Sequence, residues 1–251
     1  MRRFAPFFLF SLLLAGCTGA SPKTPPPPDT DSPVHTEEVN YGPAKGYLAL
    51  PSGAGPHPAL ILIHEWWGLN DTIRWYTSEF AKQGYVALAV DLYGGETTDD
   101  PKIAQKLALA VRTNLDGAFA NLRSAVSYLR ARPDVAKDRL ASVGWCFGGG
   151  WSYQMAKNDL AVKASVMYYG QFAPDDDLSM MKAHIIGHFG ANDQSIPVAD
   201  VKAFRAKLQT LSGEHQIFIY ENEGHGFARE LTTASAKKAW ERTLAFLRER
   251  L

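Results

Sequence analysis

Six short, nearly unbroken apolar runs decide what this chain can fold into. They are Ala59–His64, Tyr85–Val90, Leu140–Val143, Ala164–Tyr169, Ile185–Phe189 and Gln216–Tyr220. A strand with one wet face alternates apolar and polar residues; a strand covered on both faces does not. Helix-period stretches separate the runs, at about 71–83, 102–112, 117–131, 147–158, 198–211 and 235–248. Asp71 is the expected cap of the first, with Gly84 just past its end. Strands alternating with helices predict an α/β fold: a mostly parallel central sheet with helices on both faces. Val39–Pro51 reads as an antiparallel hairpin ahead of it. No internal repeat or second domain interrupts the pattern, and 251 residues suit one domain with a real core. Lys+Arg and Asp+Glu both number 26. That balance gives no basic face for a nucleic-acid partner.

The N-terminus carries an export signature. Met1-Arg2-Arg3 is a positive start, and Phe4–Ala15 is an apolar stretch too short to span a bilayer comfortably. Leu14-Ala15-Gly16-Cys17 then resembles the bacterial lipoprotein signal, in which the chain is cut before the cysteine and the thiol is acylated. The expectation is a signal peptide over 1–16 and an exported lipoprotein held to a membrane by a lipid on Cys17. Thr18 is not the aspartate of inner-membrane retention, so the outer membrane, periplasmic side, is the expected address in a Gram-negative cell. An ordinary signal peptide cut after Ala20 would give a soluble periplasmic or secreted protein instead. Residues 17–37 are poor in apolar side chains, and Pro25–Pro28 favour extended polyproline II, as in a tether. The folded domain is expected over 38–251. The chain has two cysteines, Cys17 and Cys146, and their different settings argue against a disulfide between them.

In a parallel sheet, functional side chains gather beyond the C-terminal ends of the strands. The run at 140–143 leads into Gly144-Trp145-Cys146-Phe147-Gly148, the Gly-x-Ser-x-Gly pattern with cysteine as nucleophile. A sharp strand-to-helix turn there exposes the thiol at a helix N-terminus, which favours thiolate. Asp193 follows the run at 185–189, and His225 follows the run at 216–220. The order nucleophile, acid, histidine is that of the α/β-hydrolase arrangement. Cys146 needs a base, His225, and the base needs a carboxylate, Asp193, to fix its tautomer.

The stretches His64-Glu65-Trp66-Trp67-Gly68, Asp91-Leu92-Tyr93-Gly94, Gly144–Gly149, Gly190–Asp193 and Gly224-His225-Gly226-Phe227-Ala228-Arg229 resemble the dienelactone hydrolase (carboxymethylenebutenolidase) family. The resemblance spans about residues 38–251 and implies an α/β-hydrolase that cleaves a carboxylic ester or lactone through an acyl-enzyme. It implies that Glu65 contacts the resting thiol and shifts when substrate binds. Backbone amides of Trp66 and Phe147 would form the oxyanion hole. Arg229 would hold a substrate carboxylate, with Trp67 and Tyr93 in the pocket. The family expects a second arginine after Asp-Leu-Tyr. Asp100–Ala110 holds none, which leaves Lys102 or Lys106 to stand in.

The implied partner is a small ester or lactone, with an acidic group, acted on by a monomer. No cofactor is called for. His184 and His188 form a His-x-x-x-His pair, but on a strand that spacing does not converge on one metal, so no metal site is expected. His64 reads as a packing or supporting residue. Two other functions fit the same residues: a ligand-binding lipoprotein without turnover, and an acyl hydrolase of another specificity, such as a thioesterase.

Overall fold

The structure, a computed structural model, describes residues 34–251. The signal peptide, Cys17 and nearly all of the tether lie outside the described residues. The strands are β1 (His35–Tyr41), β2 (Ala44–Leu50), β3 (His57–Ile63), β4 (Val86–Val90), β5 (Val135–Trp145), β6 (Ala164–Tyr168), β7 (His184–Gly190) and β8 (Gln216–Tyr220). The helices are α1 (Asp71–Lys82), α2 (Pro101–Thr113), α3 (Leu115–Ala131), α4 (Phe147–Lys157), α5 (Val198–Leu208) and α6 (Ala234–Arg250). The strands form one sheet in the order β1-β2-β4-β3-β5-β6-β7-β8. β1 and β2 pair antiparallel, β2 runs antiparallel to β4, and all remaining pairs are parallel. This is the mostly parallel sheet that the apolar runs predicted, in the α/β-hydrolase form that the resemblance implied.

β4 and β6 are buried at every position, as strands covered on both faces must be. Along β5, alternation sends Ser142 to one face and Trp145 to the other. Ser142 bonds Ser152 of α4, while Trp145 stacks on Tyr76 of α1 at 4.5 Å between centroids. α1 and α6 meet through Phe80 and Trp240 on that second face. α4 meets α3 through Phe119 and Trp151, and α5 through Tyr153 and Phe204.

Four boundaries differ from the sequence reading. β1 starts at His35, inside the segment expected to be tether. It is an edge strand whose first four residues are exposed, so no apolar pattern marks it. β5 begins at Val135, which pairs with His57 of β3; the exposed Lys137–Arg139 fall where the register shifts before Leu140 pairs with Ala59, so no apolar run marks this part. Asn70, not Asp71, caps α1: its side chain accepts the Ile73 amide, and Asp71 sits in the first turn, where its charge favours the dipole. β6 stops at Tyr168, and Tyr169 turns to a positive φ of 39°.

Beneath the strand ends lies a buried polar chain. His188 is fully buried, with Nδ1 on the Tyr220 hydroxyl at 3.0 Å and Nε2 on Thr243 Oγ1 at 3.0 Å. Both ring nitrogens are thus committed to hydroxyls, and His184 spends its Nδ1 on the Glu214 amide. Burial pushes the His188 pKa down to about 3. The folded state therefore resists a proton that the unfolded chain accepts near pH 6.5, so unfolding takes up protons between those values. Stability should fall on acidification through that window. We expect the urea unfolding free energy to drop by about 2 kcal/mol between pH 7 and pH 5 from His188 alone. An unchanged midpoint over that range would refute the buried neutral histidine.

Candidate active site

Each side chain of the site stands on a turn just past a strand end. Cys146 lies between β5 and α4 with φ 54° and ψ −115°, in a region that costs a non-glycine residue about 1–3 kcal/mol. Close packing around the turn leaves it no alternative. A Cβ on Gly144 would meet the Gly148 carbonyl oxygen at 2.0 Å, and one on Gly148 would meet the Ile63 carbonyl oxygen at 2.1 Å. With glycine at both places, α4 starts directly against β3, and the cysteine between them is forced upward. The Phe147 amide, first in α4, lies beside the sulfur and favours its ionised form.

His225 Nε2 is 3.1 Å from Cys146 Sγ, and its Nδ1 is 2.7 Å from Asp193 Oδ2. The Asp193 side chain is fully buried, and its other oxygen accepts the amides of Ser195 and Ile196 at 2.7 and 3.2 Å. Those bonds aim the carboxylate, so His225 carries its proton on Nδ1 and presents a bare Nε2 to the sulfur. Burial, and then the charge of Glu65, push the Cys146 pKa up to about 11. At neutral pH the sulfur is therefore a thiol that donates to His225, despite the helix N-terminus that favours thiolate.

Glu65, at the end of β3, is buried and takes Arg229 Nε at 2.7 Å and Nη2 at 3.3 Å. The resemblance implied a carboxylate resting on the thiol. Here it rests on Arg229 instead, because a buried carboxylate gains most from a two-pronged cation. The bond to Glu65 raises the Arg229 pKa further. His64 is fully buried and supports this turn. Its Nδ1 donates to the Glu65 carbonyl at 2.6 Å, and its Nε2 accepts the Leu92 amide at 3.2 Å. Trp66, next in the turn, donates its amide to no backbone carbonyl among the described residues. Trp66 and Trp67 meet edge to face at 4.8 Å, and the Trp67 carbonyl accepts the Thr98 amide.

Two aromatic hydroxyls of the site have no partner among the described residues. Tyr93 packs against His64 at 4.6 Å and Phe147 at 5.5 Å, with a buried hydroxyl. Tyr169 stands edge-on to His225 at 5.0 Å, and its hydroxyl is also buried. Sequence reasoning took Tyr169 for the end of a core strand. Only its positive φ, invisible in the sequence, turns it to the histidine.

The second cation also lies elsewhere than expected. Lys102 and Lys106 are exposed on α2. Arg112, in the last turn of that helix and two residues past Ala110, sits over the Phe147 ring at 5.7 Å. Its charge lowers the pKa of both Cys146 and Tyr93, so it faces the site. One helical turn on from the buried Ala108 reaches it on the same face of α2. Among the described residues no cluster of three or more His, Cys, Asp or Glu side chains is arranged to hold a metal ion.

The sequence matches the Dienelactone hydrolase family over residues 44–251. A Bradyrhizobium protein named "Probable 2-oxo-3-(5-oxofuran-2-ylidene)propanoate lactonase" is 31% identical over 218 residues, covering 80% of this chain and 88% of its own. An Escherichia coli K12 protein provisionally named a carboxymethylenebutenolidase is 30% identical over 222 residues, covering 81% of each chain. The crystal structure of a Klebsiella pneumoniae protein, provisionally described as a dienelactone hydrolase, superposes with a TM-score of 0.75. It is 27% identical, and the match covers 86% of this chain and 99% of that one.

Proposed function

We propose that this chain, which belongs to the dienelactone hydrolase family and is a carboxylic ester hydrolase of that kind, cleaves its ester or lactone through a thioester acyl-enzyme on Cys146. The observation that carries the reading is the unbroken line Cys146 Sγ, His225, Asp193, at 3.1 and 2.7 Å. The sulfur attacks the carbonyl carbon while its proton passes to His225 Nε2. The carbonyl electrons move to oxygen, where the amides of Trp66 and Phe147 take the charge. The imidazolium, steadied by Asp193, returns the proton to the departing alkoxide, which in a lactone stays tethered to the acyl group. A water then gives His225 a proton and attacks the thioester; the thiol leaves with that proton, and the free acid is released.

Arg229 and Arg112 flank the sulfur and suit a substrate that carries its own carboxylate. Such an anion competes with Glu65 for Arg229. A displaced Glu65, already near enough to raise the thiol pKa, becomes a second acceptor for the thiol proton. Thiolate would then form chiefly when substrate is bound. The N-terminal Leu14-Ala15-Gly16-Cys17 supports a lipid anchor and an exported, membrane-held enzyme.

Hydrolysis of p-nitrophenyl acetate and of a dienelactone by residues 34–251 tests the chemistry. Cys146→Ala should lower kcat/KM on both by about a thousandfold or more. A mutant as fast as wild type would sink the mechanism. Arg112→Leu should raise KM for the dienelactone carboxylate about tenfold and leave the uncharged ester unchanged. Equal effects on the two would remove Arg112 from anion recognition. In cells given a palmitate analogue, the full chain should take up label and Cys17→Ala should not; unlabelled wild type ends the lipid-anchor proposal.

A further inference from the structure

α2 is weakly seated. Of its thirteen residues only Ala104 and Ala108 are buried, while Ile103 and Leu109 stand 46% and 58% exposed. Small side chains at the contact hold the helix close there and leave an opening beside it. A groove of about 390 Å³ runs between α2, the start of α3 and the turn after β4. Leu107, Ala110 and Val111, at i, i+3 and i+4 on one face of α2, form one wall. Leu92, Tyr93 and Ala118 form the other.

The polar residues lining the groove are mostly committed elsewhere. Asn114 caps α3 through the Gly117 amide, and Asn121 bonds the Asp91 carbonyl and the Tyr41 hydroxyl. That leaves Glu96 and a mainly aliphatic surface. The groove is continuous with the catalytic turn at two points. Tyr93 lines it and touches Phe147, the residue after the nucleophile. Arg112 follows Val111 and sits over the same phenyl ring at 5.7 Å. Tyr93 is itself only 8% exposed, and its hydroxyl has no protein partner. A buried donor of that kind can be met by an acceptor on a ligand or by a bound water.

We propose that this groove is a substrate subsite for an aliphatic or ring-shaped hydrocarbon portion of the ester, rooted at Tyr93, whose hydroxyl donates to an oxygen of the ester beside the scissile bond. The inference rests on the hydrolase reading for turnover but not for binding. It makes the enzyme selective for esters with an extended apolar arm, independently of any acidic group.

Two series test it: p-nitrophenyl esters from butyrate to octanoate, which lengthen the acyl arm, and alkyl acetates from butyl to octyl, which lengthen the alcohol arm. Each methylene taken from water is worth up to about a fourfold gain. In one of the two series kcat/KM should rise at least about tenfold across its four added methylenes. Ala110→Trp fills the groove from an exposed helix position, and Leu107→Gln makes its wall polar. Both variants should abolish the rise and leave turnover of methyl acetate, which has neither arm, as in wild type. A flat profile in both series, or a rise that survives Ala110→Trp, overturns the proposal. Calorimetry on Cys146→Ala with p-nitrophenyl octanoate and with octyl acetate, one for each arm, separates this failure from failure of the mechanism; the better binder of the two decides the outcome. Binding with a negative heat-capacity change, lost when Ala110→Trp is added, upholds the groove even if wild type turns over no ester. No binding overturns the groove while leaving the triad to its own test.

Discussion

Everything above the sheet depends on one backbone turn at Cys146. A cysteine at φ 54° is unfavourable on its own, and the fold holds it there by contact. α4 is pressed against β3 so tightly that neither Gly144 nor Gly148 has room for a methyl group. The compensation is spread through the core: Trp145 stacks on Tyr168 at 5.3 Å, and Ser152 bonds Ser142 and Ser165 beneath the helix. Because the turn is held from below, the sulfur, the Phe147 amide and the N-terminus of α4 arrive together. In the proposed reaction, the turn that presents the sulfur would therefore also supply a hydrogen-bond donor for the charge created there.

Electrostatics then oppose geometry. The helix end, Arg229 and Arg112 all favour thiolate, yet burial and Glu65 outweigh them and keep a thiol. The balance hangs on where Glu65 spends its charge. Paired with Arg229, it is neutralised in part and held away as a base. The Arg229 side chain is 43% exposed, whereas that of Glu65 is 4% exposed, so an incoming anion reaches the arginine first. An idle thiol resists oxidation and alkylation better than a standing thiolate. On the proposed mechanism, the arrangement would tie reactivity to occupancy through a single exchange of partners.

Much of this was legible in the chain because its causes are local. Buried strands announce themselves by apolar runs, and the nucleophile, acid and histidine each follow one. The features that were not legible have causes that lie far away in sequence. β1 is polar because it is an edge, and only its pairing with β2 makes it a strand. Asn70 and Asp71 are both capable caps; the extended backbone at Asn70, set by the turn from Gly68, decides between them. The Glu65–Arg229 pair spans 164 residues, and nothing in either neighbourhood foretells it. Arg112 was hidden for a different reason. Its helix approaches the site from the side, so no strand end marks it.

That last difference separates two layers of the molecule. The bond-breaking groups sit on turns anchored to β3, β5, β7 and β8, where a small shift would disturb the core. The Arg112 guanidinium and the groove wall sit on α2, a helix seated on two alanines. Changes on α2 therefore cost the fold little, while Arg112 and Tyr93 bring it to the Phe147 ring. A family whose members share the strand-end groups can vary its substrates through such a helix without touching the chemistry. In this chain the helix presents an aliphatic stripe, Leu107, Ala110 and Val111, to the groove, and the next residue, Arg112, to the Phe147 ring. An ester with an anionic group near the carbonyl and an apolar arm beyond it would use both at once.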